Sequence, residues 1–322
     1  RQMTADDLDL ILQAYHSLFD LRPLLFFDEI QNIEGWEHFA RRLANQKYNI
    51  YITGSNAKML SREIATTLGG RFWNKDVYPY SFAEYLNARN IILSKNWMYG
   101  KQAAEVSKAF NDYFLYGGFP ELTDVIAKRV WLNDIYSKIF FSDLIVRNKV
   151  RNEEALGLLV RRLAENVKQP ISYTRLANLI SSIGIKISKA TVIEFIRYLK
   201  ESCLIFPIEN YAAKFAERNS NMKHYFIDNG LLSIFLLDGN TSLLENIVAI
   251  HLYKRYGAQL YFYNQNIEVD FIIPEAKTAI QVSYSLMDET TCRREVEGLI
   301  KLNRVFPMDN MCIITRDEER II

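Results

Sequence analysis

Asp28 and Glu29 are the residues best suited by type and spacing to do chemistry, because they follow directly on the apolar run Leu24-Leu25-Phe26-Phe27. Such a run after Arg22-Pro23 predicts a strand buried on both faces of a parallel sheet. The two carboxylates then fall at the C-terminal edge of the sheet, where α/β folds hold their ligands. Beside a phosphate, adjacent carboxylates need a divalent cation between them. Asp28 would act on Mg2+ through water, and Glu29 would orient an attacking water. The alternative is a strand running into an acidic helix N-cap, and Leu24–Gln31 alone leaves both readings open.

The flanking elements must position these groups. Thr4-x-x-Asp7 is a variant capping box, and Leu8, Ile11, Leu12, Tyr15, Leu18 and Phe19 form an apolar stripe, so residues 4–19 read as a helix leading into the strand. Trp36, Phe39, Ala40 and Leu43 mark one face of a second helix. A second short strand, 48–52, ends on Thr53-Gly54-Ser55-Asn56, and Asn56 at such a tip could sense the attacking water or the γ-phosphate. Gly69-Gly70 precedes Arg71, which reads either as a γ-phosphate contact, in cis or across a subunit boundary, or as a surface cation after a helix end. Residues 72–78 read as a further strand that Pro79 ends.

In this order the motifs resemble the AAA-type P-loop ATPases of bacteria and archaea that carry a C-terminal domain of unknown function. The matching stretches are LLFFDEIQ (24–31), YITGSNAKMLS (51–61), TTLGGR (66–71), YPYSFAEYL (78–86), LLENIVAIHLYKRYG (243–257) and IEVDFIIP (267–274). The resemblance implies ATP and Mg2+ as cofactors, Asp28 and Glu29 as the Walker B carboxylates, Asn56 as sensor and Arg71 as charge stabiliser. It also implies a possible homo-oligomer in which Arg71 acts in trans. No G-x-x-x-x-G-K-[ST] occurs in the 322 residues, and Gly100-Lys101 is in the wrong context. The expectation is that the P-loop lies upstream of Arg1 and that the chain as it stands does not hydrolyse ATP.

Composition excludes a disordered or fibrous chain, since 49% hydrophobic and 13% aromatic residues suffice for ordinary cores. The length suggests two or three domains. A net charge of +1 gives no overall attraction to nucleic acid. Cys203, Cys292 and Cys312 are too dispersed for a disulfide framework or zinc site and read as buried free thiols; the four histidines show no ligand spacing. No apolar stretch reaches membrane-span length, and the default expectation is a cytoplasmic protein with no membrane partner.

Residues 81–148 read as a helical lid, with Ser81 as an N-cap and Gly117-Gly118-Phe119-Pro120 as either a hinge or a plain turn. Residues 149–230 predict a winged helix. Helical faces run through Leu156–Leu163, Leu176–Ile180 and Val192–Leu199, with Ser172 and Ser188 as caps, followed by strands at 203–208 and 224–228. Between 147 and 200 eleven Lys/Arg face four Asp/Glu, a balance of +7. Lys186, Lys189, Thr191, Arg197 and Lys200 would lie nearest duplex DNA; the alternative is a winged helix used for protein contacts, its cations solvated.

Residues 240–322 follow an αβββαβ order, opened by a capping box at Ser242-x-x-Glu245. That order resembles the PD-(D/E)XK nucleases. Glu245 and Asp270 match two acidic positions, but Gln281-Val282-Ser283 stands where Glu-x-Lys belongs. A neutral amide binds Mg2+ poorly and Ser283 cannot replace the lysine, so this site is expected to be dead as a nuclease. Glu245, Glu268 and Asp270 would then be structural, or bind a partner.

The fold class expected is therefore multi-domain α/β. It comprises a partial P-loop NTPase sheet (1–80), a lid (81–148), a winged helix (149–230) and a nuclease-like domain (240–322). The function expected is an ATPase coupling its nucleotide state to DNA or partner engagement. The alternatives are a metal-dependent nuclease with a regulatory ATPase and a non-enzymatic scaffold.

Overall fold

The structure is a computed structural model that describes residues 3–54, 67–70, 72–214, 218, 220–319 and 321. The chain divides into two compact units, one of residues 1–77 with 200–203 and the other of residues 78–199 with 204–322. Among the described residues no helix is long and apolar enough to cross a membrane.

In the first unit, α1 (Ala5–Leu18) starts on the expected capping box, with the Thr4 side chain accepting from the Asp7 N–H and the Asp7 carboxylate accepting from the Thr4 N–H at 2.8 Å. β1 (Leu25–Phe27) and β2 (Ile50–Ile52) pair in parallel, Phe26 opposite Tyr51, with α2 (Trp36–Asn45) as the crossover between them. Leu8, Phe39 and Leu43 form one small core, and Ile30, Trp36 and Ala40 another. All but Ile30 are residues whose spacing predicted the helices.

Two expectations change here. β1 is covered on one face only: Phe26 is 69% exposed and stacks on the exposed Tyr51 ring at 4.9 Å. The packing helices of this unit lie against Leu25, Phe27 and Ile50 and leave alternate residues uncovered, as the pleat requires. Residues 72–78 form no strand; Phe72, Trp73 and Val77 are exposed. Apolar and β-branched residues favour a strand only where an edge is available to pair with.

The second unit begins with α3 (Phe82–Ala88), capped by the Ser81–Glu84 box, and continues through α4 (Lys101–Tyr116) and α5 (Lys128–Lys138), which runs on into a π-helical turn at Ile139–Val146. Then follow α6 (Glu153–Glu165), β3 (Ile171–Ser172), α7 (Tyr173–Ser181), α8 (Lys189–Glu201), β4 (Ile205–Asn210), β5 (Asn221–Phe226) and the short α9 (Asn229–Ser233). Ser172 and Ser188 accept from the N–H groups of Arg175 and Thr191, as N-caps should. The chain closes with α10 (Asn240–Tyr256), β6 (Tyr261–Asn264), β7 (Glu268–Ile273), β8 (Thr278–Val282), α11 (Glu289–Val305) and β9 (Asn310–Ile314).

A single sheet of order β3-β5-β4-β6-β7-β8-β9 runs through this unit. β4 pairs antiparallel with β5 and, at Glu209 and Asn210, parallel with β6. Residues 149–230 and 240–322 are therefore joined by continuous strand pairing. The main core confirms the joining, because Leu159, Ile180 and Leu199 belong to the same buried cluster as Leu244, Phe262 and Phe271.

Two local expectations also fail. α10 begins at Asn240 behind Gly239, so Ser242 and Glu245 lie within the first turns and form no cap. Cys203 and Cys312 are exposed. Cys203 has a positive φ in the turn after α8, and Cys312 lies on edge strand β9, where an apolar run no longer guarantees burial.

Candidate functional site

Parallel pairing brings the ends of β1 and β2 together, so Asp28 and Thr53 emerge side by side at one sheet edge. The Thr53 N–H donates to the Phe27 carbonyl at 2.9 Å, and the Thr53 hydroxyl hydrogen-bonds the Asp28 carboxylate. Asp28 is exposed; Glu29 is partly buried and adopts a left-handed backbone (φ 51°) before the turn Ile30–Asn32. That conformation is uncommon for a residue with a Cβ and turns the chain sharply away from the sheet. The geometry presents a carboxylate already oriented by a neighbouring hydroxyl, with a second carboxylate next to it. Asn56 and Arg71 lie outside the described residues. Thr53 was legible only as a small polar residue at a strand tip, because its proximity to Asp28 follows from the strand register.

The expected basic surface lies on α8 and the turn before it. Lys186, Lys189, Arg197 and Lys200 are exposed. Thr191 is engaged at the helix start, its hydroxyl 2.9 Å from that of Ser188. Arg197 lies 4.0 Å from Glu194 and over the Tyr198 ring, which partly offsets its charge.

The most highly organised polar group in the second unit is centred on Lys223, which the sequence reading missed. Its ammonium on β5 is wholly buried, 3.1 Å from Asp270, 3.2 Å from Glu245 and 3.5 Å from Glu268. Tyr225, one pleat further along the same face of β5, donates its hydroxyl to Glu245 at 2.7 Å. Burial alone would push the Lys223 ammonium down, but the fields of Glu245, Asp270 and Glu268 outweigh it and hold the group above the ordinary lysine range. Burial pushes Glu245 up against the opposing pull of Lys223.

Gln281 does not face a metal. Its carbonyl oxygen accepts from the Asp270 N–H at 2.8 Å, while its amide donates to the Glu268 carbonyl and to Glu295 at 2.8 Å. The second Asp270 oxygen accepts from the Val282 N–H at 3.0 Å. Ser283 turns away and donates to the Ser285 carbonyl. A divalent cation needs oxygen ligands at about 2.0–2.6 Å, and these carboxylates are spread around an ammonium instead. Among the described residues no group of three or more His, Cys, Asp or Glu could hold a metal. The residues therefore do not fit the metal that the nuclease resemblance implied. The sequence reading begins this strand at 224 and so leaves Lys223 outside it; that the lysine is buried could be recognised only once its three acidic partners were in place.

A second buried polar joint fixes the Gly117-Gly118 turn. Asp228 accepts from the N–H groups of Gly118 at 2.7 Å and Gly230 at 2.8 Å, and it caps α9. Asn229 donates to the carbonyls of Phe114 and Leu243, both at 3.0 Å. Lys254 reaches the Pro79 carbonyl at 2.5 Å beside a cavity of about 10 Å³, at the lower limit for one water. Burial pushes the Asp228 carboxyl up to about 6, against its backbone N–H donors. The Gly117-Gly118 segment, read from the sequence as either a hinge or a plain turn, is thus tied to the ends of β5 and α10.

Comparison with known proteins agrees with the chain's organisation at family level. An AAA domain matches residues 1–86, and a domain of unknown function, DUF8612, matches residues 107–242. An uncharacterized protein of Methanocaldococcus jannaschii is 34% identical over 98% of this chain and 73% of its own length. An uncharacterized protein of Haemophilus influenzae is 30% identical over 92% of this chain and 74% of its own. A Walker-type ATPase of Pyrococcus abyssi aligns with a TM-score of 0.42 and 13% identity over 73% of this chain and 79% of its own, too slight a likeness to bear on the site.

Proposed function

We propose a function from the premise that the chain belongs to the family of proteins that join an AAA domain to the domain of unknown function DUF8612: in the whole protein the first unit binds and hydrolyses ATP with Mg2+. The observation that carries this reading is the pairing of Asp28 with Thr53 at the ends of two parallel strands, with Glu29 adjoining. Asp28 would hold the metal through water and Glu29 would polarise the attacking water. Thr53 would fix the Asp28 carboxylate, with Asn56 as sensor and Arg71 as charge stabiliser.

The test is ATP turnover by the full-length protein and by its Glu29→Gln and Asp28→Asn variants, with far-UV circular dichroism as the folding control. Glu29→Gln should lower turnover by at least about 100-fold while nucleotide binding persists. Asp28→Asn should raise the Mg2+ concentration needed for turnover and lower the turnover reached. Turnover unchanged in Glu29→Gln would overturn the assignment.

The second unit would pass the nucleotide state to duplex DNA or a protein partner. The helix–strand–helix–helix–hairpin order of 153–226 supports a winged helix, with the exposed Lys186, Lys189, Arg197 and Lys200 as its phosphate contacts. Fluorescence anisotropy with duplex DNA tests this half. Replacing the four cations by alanine should reduce the log–log salt slope by about 3–4. No binding at low salt would leave the protein-contact reading in its place.

A further inference from the structure

We infer that the Lys223 ammonium occupies the place of a metal cation, pairing with Glu245, Glu268 and Asp270 from within the chain and making this centre an internal lock between β5 and the α10–β7 pair. The inference stands on the geometry of the second unit and is independent of the nucleotide reading.

Three observations lead to it. The first is position: one ammonium lies within 3.1–3.5 Å of three carboxylates drawn from a helix and a strand that the αβββαβ order brings together. The second is access. The Lys223 side chain has no exposed surface, and those of Glu245 and Asp270 keep 5% and 12%; Glu268, at 40%, is the open member of the group. A hydrolytic centre must admit a phosphate and a water to its cation, whereas the ammonium here is closed off and only Glu268, at the rim, is open. The third is the use of the remaining lone pairs. The Tyr225 hydroxyl and the Val282 N–H donate to Glu245 and Asp270, and Gln281 is held by main-chain and Glu295 partners. These bonds commit the buried groups to partners within the chain.

The physical reason for such a lock is electrostatic. Two carboxylates buried close together repel and lose hydration, and they persist only if a positive charge sits between them. A lysine supplied by β5 meets that need at an effective concentration that no free metal matches, and it requires no cofactor. Because Lys223 comes from β5 and its partners from α10 and β7, the same contact holds the 153–226 segment to the 240–314 segment.

The experiment compares thermal unfolding of the protein, of Lys223→Met, and of Lys223→Met combined with Glu245→Gln and Asp270→Asn, each with EDTA or with Mn2+. The native protein should unfold at the same temperature in both. Lys223→Met should unfold lower by roughly 10 °C, and neutralising the two carboxylates should recover part of the loss. A native midpoint raised by Mn2+, with that response lost in Asp270→Asn, would show a metal displacing the ammonium and overturn the inference. A Lys223→Met midpoint equal to the native one, or a triple variant no better than Lys223→Met, would do the same. Should Lys223→Met not fold, the native response to Mn2+ and the folding of the triple variant still decide it.

Discussion

Replacing Gly117 by alanine should be among the most damaging single-methyl additions in the second unit, and the structure gives its size. Gly117 has φ 80° and ψ −163°, a region almost exclusive to glycine, so alanine there costs about 1–3 kcal/mol in the backbone alone. Its Cβ would fall 1.9 Å from the Asp228 carboxylate oxygen. Asp228 would have to move, at about 1–3 kcal/mol for overpacking and a further ~1.5–3 kcal/mol for weakening its bond to the Gly118 N–H. The sum of roughly 3.5–9 kcal/mol is comparable with the whole stability of many domains. Gly184 provides the control. It too has a positive φ, 94°, but its Cβ would meet nothing within 4 Å, so alanine there should cost only about 1–2 kcal/mol. Guanidinium unfolding of both variants isolates the steric part, and adding Asp228→Ala to Gly117→Ala should restore some stability by removing the clash. Equal losses for the two glycines, or no relief in the double variant, would refute the argument that Asp228 pins this turn.

Other outcomes follow from the same two joints. Tyr225→Phe removes the 2.7 Å donor from Glu245 and should cost about 1–3 kcal/mol in chemical unfolding, with little change in the far-UV spectrum. Asp228 carries a pH signature. Its folded carboxyl, raised by burial to about 6, binds a proton more readily than in the unfolded chain, so its ionisation costs stability above about pH 6. That cost is relieved as the pH falls and is gone below the unfolded value near 3.8. Relative to Asp228→Asn, the native protein should therefore gain about 1 kcal/mol between about pH 7 and about pH 5 in denaturant midpoints. A loss over that interval would show that the backbone donors outweigh burial.

Much of the fold was legible in the sequence because it rests on local rules. The Thr4–Asp7 and Ser81–Glu84 boxes, the caps at Ser172 and Ser188, and the apolar stripe of Trp36, Phe39, Ala40 and Leu43 depend on residues a few positions apart. The same is true of Asp28 and Glu29 at the end of β1, since a strand terminus and two carboxylates need no distant partner to be recognised. The adjacency of Asp28 and Thr53, 25 residues apart, required the parallel register that only the folded sheet supplies.

What tertiary structure alone decided is where charge and polarity are buried. Lys223 falls just ahead of the strand as read from the sequence (224–228), and its partners come from 22 to 47 positions away, so no local spacing reveals that it pairs with them. The false capping box at Ser242–Glu245 has the same origin: a buried ammonium and the Tyr225 hydroxyl claim Glu245, and the helix end loses it. The continuous sheet from β3 to β9 likewise depends on β4 meeting β6, a pairing of strand edges that leaves almost no mark in either segment's composition. Sequence fixes which elements can form, since propensity and capping act over a few residues. The partners of a buried charge are set by which elements packing brings together, because an ion is stable in a core only when the whole fold places its counter-charges around it.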